Sequence, residues 1–135
     1  MAKAIRNQVR QRAGDVCEYC RMPQEFDVRP FQLDHIRAEK HHGPTELPNL
    51  CWSCLACNSF KGSDQSAYDP ETDKLVPLFN PRVDVWSEHF EWNGPELTGR
   101  TTRGRATIDL LRINQPEQVA HRWKLTSLGV FPPTS

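Results

Sequence analysis

The chain has no surplus of charge. Its 17 Lys and Arg are matched by 17 Asp and Glu over 135 residues, a formal net charge of zero. A neutral total argues mildly against an overtly basic nucleic-acid binder. No apolar run is long enough to span a bilayer, so a membrane is left out of the expected partners. The first residues, Met1-Ala2-Lys3-Ala4-Ile5-Arg6, lack the apolar core of a secretory signal. That absence points to a cytoplasmic, reducing setting in which disulfides are rare. No internal repeat or low-complexity tract is present either.

What the chain does have is cysteine in an ordered pattern. Cys17-Glu18-Tyr19-Cys20 and Cys54-Leu55-Ala56-Cys57 are two Cys-x-x-Cys knuckles. Together they offer four thiolates, the full tetrahedral shell of a structural Zn²⁺. A redox motif would need one pair beside a βαβ pattern, and no such alternation is seen. A disulfide framework would leave Cys51 as an odd fifth thiol. Cys51 lies between Leu50 and Trp52 and reads as a small buried apolar residue. Its closeness to the second knuckle leaves a swap with Cys54 open.

The length fits a single domain over 1–135, small enough to profit from a metal staple. Eleven prolines and seven glycines imply many loops and short elements. Ile5, Val9, Arg12 and Ala13 keep helical spacing ahead of Gly14. Arg29 to Ile36 alternates weakly, as a strand would, and Leu50-Cys51-Trp52 is a short second strand. A helix is expected from Leu55 to Lys61, stopped by Gly62. His41-His42-Gly43-Pro44 reads as a loop. Residues 63–101 read as an extended loop with short elements. C-terminal helices follow over 102–129, one from Thr102 to Ile113 and one opened by Pro116 with Val119, Ala120 and Trp123 on a stripe. Trp86, His89 and Phe90 have the spacing of a buried helical face. Charge is uneven: from Leu97 onward six basic residues face two acids, so the neutral total can hide a basic face.

The ordered residues Leu33-Asp34-His35-Ile36, Asn49-Leu50, Cys54 to Asn58 and Lys61-Gly62 resemble the HNH endonucleases. Asparagine stands at Asn58, where the family name has its last histidine. The resemblance is specific over 17–62. It weakens through Leu78-Phe79-Asn80-Pro81-Arg82, Glu88-His89-Phe90 and Gly104-Arg105-Ala106-Thr107, which are similar to small free-standing bacterial members. It implies an α+β fold with a ββα-metal core braced by the four-cysteine zinc site and flanked by the N-terminal and C-terminal helices.

What the resemblance implies chemically is phosphodiester hydrolysis in double-stranded DNA, assisted by a metal. Asp34 and Asn58 would bind one divalent ion, Mg²⁺ or Mn²⁺, since hard oxygen donors suit those ions better than zinc. His35 would be the general base, an imidazole ordinarily titrating near working pH. Adjacent strand residues point to opposite faces, so Asp34 and His35 serving one phosphate would need a distorted strand end. Asn49 would pin the loop and the histidine. Arg37, His42, Lys61, Arg100, Arg103 and Arg105 are the candidates for backbone phosphate contacts, with His41 beside them in the loop. His89 and His121 read as structural.

Each residue also has a plainer use. Asn49 can be a turn residue, Lys61 an ordinary helix-end cation, and the aromatics core rather than base-stacking platforms. Two other classes of function stay open: a zinc-knuckle module that binds nucleic acid without cutting it, and a structural zinc protein that docks on a protein partner. No residue pattern names such a partner.

Overall fold

The computed structural model describes residues 2–133; Met1, Thr134 and Ser135, part of the expected domain span, lie outside the described residues. Helix α1 (Ala2–Ala13) comes first. Val9 is buried in the core and Ile5 and Ala13 pack against it, while Gly14 takes the positive φ that ends the helix. The opposite side is polar and exposed. Arg6 on α1 donates to the Phe31 carbonyl at 2.8 Å and stacks its guanidinium 4.8 Å from the Trp52 ring. Arg12 donates to the carbonyls of Leu47 and Leu50. The helix is thus fixed to the following hairpin by cations that satisfy backbone oxygens as well as by apolar burial.

Strands β1 (Gln32–His35) and β2 (Leu50–Ser53) form an antiparallel pair with Leu33 opposite Trp52, Asp34 opposite Cys51 and His35 opposite Leu50. The strand is shorter than the Arg29–Ile36 expected, because Pro30 supplies no N–H for a ladder. All four residues of β2 are buried. Helix α2 (Leu55–Lys61) follows directly, with the Cys54 sulfur accepting from the Cys57 N–H as its N-cap and Gly62 at φ +54° ending it. Hairpin and helix make up the expected ββα unit, and four clustered cysteines hold its base.

Residues 63–101 are more regular than expected. They contain a hairpin of β3 (Ser66–Tyr68) and β4 (Leu75–Pro77), the one-turn helix α3 (Trp86–His89), and a hairpin of β5 (Phe90–Asn93) and β6 (Glu96–Gly99). Gly94, at φ +60°, turns the second hairpin. Helix α4 (Thr102–Leu110) starts with the Thr101 hydroxyl accepting from the Gly104 N–H at 3.0 Å. Gly104 is required for packing, since a Cβ there would collide with the His89 carbonyl.

Helix α5 (Pro116–Ser127) departs from the expected stripe. Arg122 and Leu125 are its buried residues, and Trp123 is 61 % exposed. Arg122 turns the helix face because its guanidinium has specific acceptors: the Pro95 and Ile113 carbonyls and the Asn114 amide oxygen. No helix of the described residues is long and apolar enough to cross a membrane.

Candidate metal centre and catalytic hairpin

Cys17 and Cys20 come from a tight turn. The Cys17 N–H bonds to the Met22 carbonyl, and the Arg21 N–H returns to the Cys17 carbonyl. Arg21 itself adopts the left-handed region at φ +66° to close the knuckle. Cys54 and Cys57 come from the N-terminus of α2. All four are buried, and their sulfurs lie within 4.8 Å of one another. The Cys20 and Cys54 sulfurs are 3.8 Å apart. Zn–S bonds of about 2.3 Å in a tetrahedron place sulfurs about 3.8 Å apart, so the donor set fits zinc in both chemistry and spacing. All five cysteines are free. Burial opposes ionisation of Cys17, but donation from Cys20, Cys54 and Cys57 outweighs it and draws that thiol well down, while the same bonds push the donors Cys54 and Cys57 up; four thiolates together require the metal.

Cys51 is not part of this cluster. It sits one layer away, with its sulfur 3.3 Å from Asp34 Oδ2 and 3.4 Å from the Tyr19 hydroxyl. Burial first, and then the Asp34 carboxylate, push this thiol well up. It is therefore an S–H donor and not a ligand. The exchange with Cys54 left open above is excluded by this placement.

Asp34 and His35 part company along β1. The ladder runs regularly through His35, so the distorted strand end expected there is not found and the two side chains point to opposite faces. Asp34 points inward and is 3 % exposed. Its Oδ2 accepts from the Tyr19 hydroxyl at 2.7 Å, and its Oδ1 accepts from the Lys61 ammonium at 3.2 Å. Burial raises the Tyr19 phenol well above its ordinary value, which keeps it a donor. Lys61 is 2 % exposed and donates also to the His35 carbonyl at 3.1 Å. As placed it cannot touch a nucleic-acid backbone, which corrects the expectation for this residue: its charge is spent on Asp34.

His35 points outward, its side chain 18 % exposed. Nε2 lies 2.9 Å from the Thr45 hydroxyl and 3.9 Å from Glu39. Asn49 is bonded on all sides of its amide. Oδ1 accepts from the Arg37 N–H at 2.9 Å, while Nδ2 donates to the carbonyls of Arg37 and Pro44 at 3.0 and 2.8 Å. It closes the 36–49 loop as a clasp. Gly43 lies so close to the Arg37 carbonyl that no Cβ fits, and His42 takes φ +67° beside it. Thr45 is a partner of His35 that sequence reasoning does not find, because a threonine after Pro44 carries no signal for that role. Arg37, Lys40, His41 and His42 are all exposed on this loop.

Asn58 lies one turn before Lys61 on α2, half-buried, and residues three apart share a helix face. Arg100 is exposed, its guanidinium donating to the Ser87 carbonyl. Arg103 and Arg105 are not free cations, contrary to the expectation of phosphate contacts. Arg103 donates to both oxygens of Asp84 at 2.9 and 2.8 Å, and Arg105 to both oxygens of Asp69 at 2.9 Å. The Arg105 pair is bidentate, through Nε and Nη2, the strongest form a guanidinium makes with a carboxylate, whereas Arg103 reaches both oxygens of Asp84 through Nη1 alone. Trp86, Phe90, Trp92 and Phe131 form a chain of ring contacts between 5.0 and 5.9 Å, so these aromatics are core rather than stacking platforms. His89 and His121 bond to the Thr101 hydroxyl and the Phe26 carbonyl.

Residues 17–64 match the family model described as HNH endonuclease. Over that span the chain is similar to the HNH endonucleases. Septu protein PtuB of Bacillus thuringiensis is 26 % identical over 111 residues, covering 81 % of this chain and 40 % of that protein. The chain thus spans about two fifths of that relative's length. No solved structure matched it. That match supports a nuclease type of function at the level of the family.

Proposed function

We propose that the protein hydrolyses phosphodiester bonds in double-stranded DNA, with His35 as the general base and a divalent ion, Mg²⁺ or Mn²⁺, on the Asp34–Asn58 side of the hairpin. The observation that carries this reading is the pose of His35: outward on the rim of a zinc-braced hairpin and bonded through Nε2 to Thr45 at 2.9 Å. With the imidazole proton on Nε2 and given to the Thr45 hydroxyl, Nδ1 keeps the lone pair that takes a proton from the attacking water. Asn49 fixes the loop that carries Thr45 through its three hydrogen bonds, and so holds the ring's rotation. Arg37, Lys40 and His42, exposed around the same loop, would attract and orient the phosphate backbone. Cys17, Cys20, Cys54 and Cys57 would hold Zn²⁺, which braces the hairpin against α2 and takes no part in the chemistry.

The divalent ion, when bound, would supply charge stabilisation at the phosphate. Asp34 and Asn58 suit it in donor type. As Asp34 stands, however, it does not fit: Tyr19, Cys51 and Lys61 occupy its carboxylate, and it is closed to solvent. This one observation favours a second reading, a module that holds nucleic acid without cutting it. Nicking of supercoiled plasmid separates the two. The nuclease reading expects nicking with Mg²⁺ or Mn²⁺ that is lost in His35→Ala. Equal DNA binding by both proteins with no nicking by either would leave the binding module.

A further inference from the structure

The His35 ring is held at one atom, by the bond of Nε2 to Thr45. A ring held at one atom is only as well placed as the backbone that carries it. The Ile36 N–H bonds to the Asn49 carbonyl at 2.8 Å. With His35 opposite Leu50 in the same register, His35 is therefore a non-hydrogen-bonded position of the antiparallel pair. Its carbonyl points away from β2, to the outer edge of a two-stranded sheet, where a carbonyl ordinarily meets water. Here it meets Lys61, whose ammonium donates to it at 3.1 Å. The His35 carbonyl and the Ile36 N–H belong to one planar peptide unit. That plane is thus gripped from both sides, by the Asn49 carbonyl and by Lys61.

Lys61 is itself held. It ends α2, where a lysine ordinarily extends into water, yet its side chain is 2 % exposed and that of Asp34 is 3 % exposed. Burial of both charges is tolerated because each answers the other, with the ammonium 3.2 Å from Asp34 Oδ1. Asp34 Oδ2 in turn accepts from the Tyr19 hydroxyl at 2.7 Å and from the Cys51 thiol at 3.3 Å. Tyr19 lies between Cys17 and Cys20 in the first knuckle. A continuous run of hydrogen bonds therefore leads from that knuckle through Tyr19, Asp34 and Lys61 to the peptide of His35. Thr45 does not duplicate it, since Thr45 acts on the ring and Lys61 on the main chain.

Resting on the nuclease reading, we propose that Lys61 is a positioning residue for His35: its buried ammonium, fixed by Asp34, holds the peptide after His35 and so sets where the imidazole stands. Asp34 serves the base through Lys61 and needs no ligand of its own. Order in the first knuckle is passed directly to His35.

Ring order and turnover test this separately. In zinc-loaded protein without DNA, nitrogen NMR of the His35 ring is compared between the wild type and the double variant Lys61→Met, Asp34→Asn, which removes both charges and leaves the interior neutral. The wild type is expected to show one tautomer with a slowly exchanging Nε2 proton. The double variant is expected to mix both tautomers and to exchange that proton several-fold faster. Its kcat for plasmid nicking should fall by about 10²-fold with KM unchanged, because the exposed cations of the 36–49 loop are untouched. Identical ring signals in the two proteins, both folded and zinc-loaded, overturn the proposal, as does a loss of nicking that lies wholly in KM. Should the double variant fail to fold, the wild type answers alone. Slow exchange of the Lys61 ammonium protons, with scalar coupling to the His35 carbonyl carbon, sustains the proposal; exchange as fast as that of exposed lysines overturns it. Absence of nicking by the wild type would fail the nuclease reading, and the ring measurement, which needs no turnover, would still decide the role of Lys61.

Discussion

Residues 15–62 and residues 78–131 are ordered by different physics, although both bury large side chains. In the first region the core of Phe31, Leu50 and Trp52 also encloses polar groups. Four thiols, Asp34, Lys61, Tyr19 and Cys51 lie within it, and Glu18 accepts from the Trp52 N–H while pairing with Arg82. In the second the centre is an aromatic chain from Phe79 through Phe90, Trp86 and Trp92 to Phe131, with Arg122 stacked 5.4 Å from the Trp92 ring. Aromatic packing is worth area and a modest directional term, so it tolerates small adjustments. A metal and a closed polar network do not, because each group left unpaired carries its full desolvation cost. The site sits on the rigid, intolerant region, and the packed region supports it through Tyr19, whose carbonyl accepts from the Trp86 indole at 2.9 Å.

The sharpest way to break this comparison is to remove the metal. Any one of Cys17, Cys20, Cys54 or Cys57 changed to serine should cost most of a zinc-binding energy on the order of 10 kcal/mol, which is folding energy. Hydrogen exchange should then show protection lost over residues 15–61 and largely kept along β5, β6 and α4. Uniform loss along the chain would mean that the two regions fold as one. Next in size is His35→Ala, expected to lower nicking by ~10²–10⁴-fold with zinc content and melting temperature unchanged, because the ring is outward and bonded only to the loop. The corresponding change on the packed side is Arg122→Met. It strands the Pro95 and Ile113 carbonyls and should cost about 3 kcal/mol, while the Asn114 amide oxygen keeps the Leu97 N–H. Activity per folded molecule should stay the same.

Much of the first region is legible in the chain itself. Its determinants are local: two knuckles of fixed spacing, a helix of seven residues stopped by Gly62, and an ordered set of polar residues between them. Residues 63–101 are harder to read. Tyr68 and Leu75 are paired across β3 and β4 yet both are exposed, so that hairpin has no buried alternation to betray it. The roles of Lys61, Arg103 and Arg105 are also illegible. A cation's partner lies far along the chain, 27 residues for Lys61 and 36 for Arg105, and spacing cannot reveal which carboxylate it meets. Thr45 and Arg122 follow the same rule, being given meaning only by partners that the fold brings to them.

Acid should sharpen the contrast further. Donation from Arg105 draws the Asp69 carboxyl well down. Asp84 is lowered too, burial being outweighed by the Asn80 N–H and Arg103. A depressed carboxyl contributes stability above its unfolded pKa near about 4 and loses it as pH falls through its folded value. The contribution of the Asp69–Arg105 and Asp84–Arg103 pairs should therefore be lost progressively below about pH 4. Arg105→Ala should remove part of that acid dependence while lowering stability at neutral pH. Melting curves of both proteins between neutral and acid pH check this; identical slopes would refute the role given to the pair.

The smallest expected effect concerns DNA affinity, and it decides which region faces the nucleic acid. Each phosphate contact releases condensed counterions and adds about 0.9 to the logarithmic salt slope for duplex DNA. Arg103 and Arg105 are already paired with Asp84 and Asp69, so they have little free charge to give to a phosphate. Replacing both by alanine should lower the melting temperature and leave the salt slope as it was. Arg37 and Lys40 are exposed on the loop that carries Thr45 and is clasped by Asn49. Replacing that pair by alanine should flatten the slope by about two and weaken binding to all duplexes alike, since backbone contacts carry no sequence information. Fluorescence anisotropy over a series of salt concentrations, with the two double variants side by side, reads both quantities. If the Arg103 and Arg105 variant flattens the slope and the Arg37 and Lys40 variant does not, the duplex lies against the packed region. The hairpin is then not the face that meets DNA.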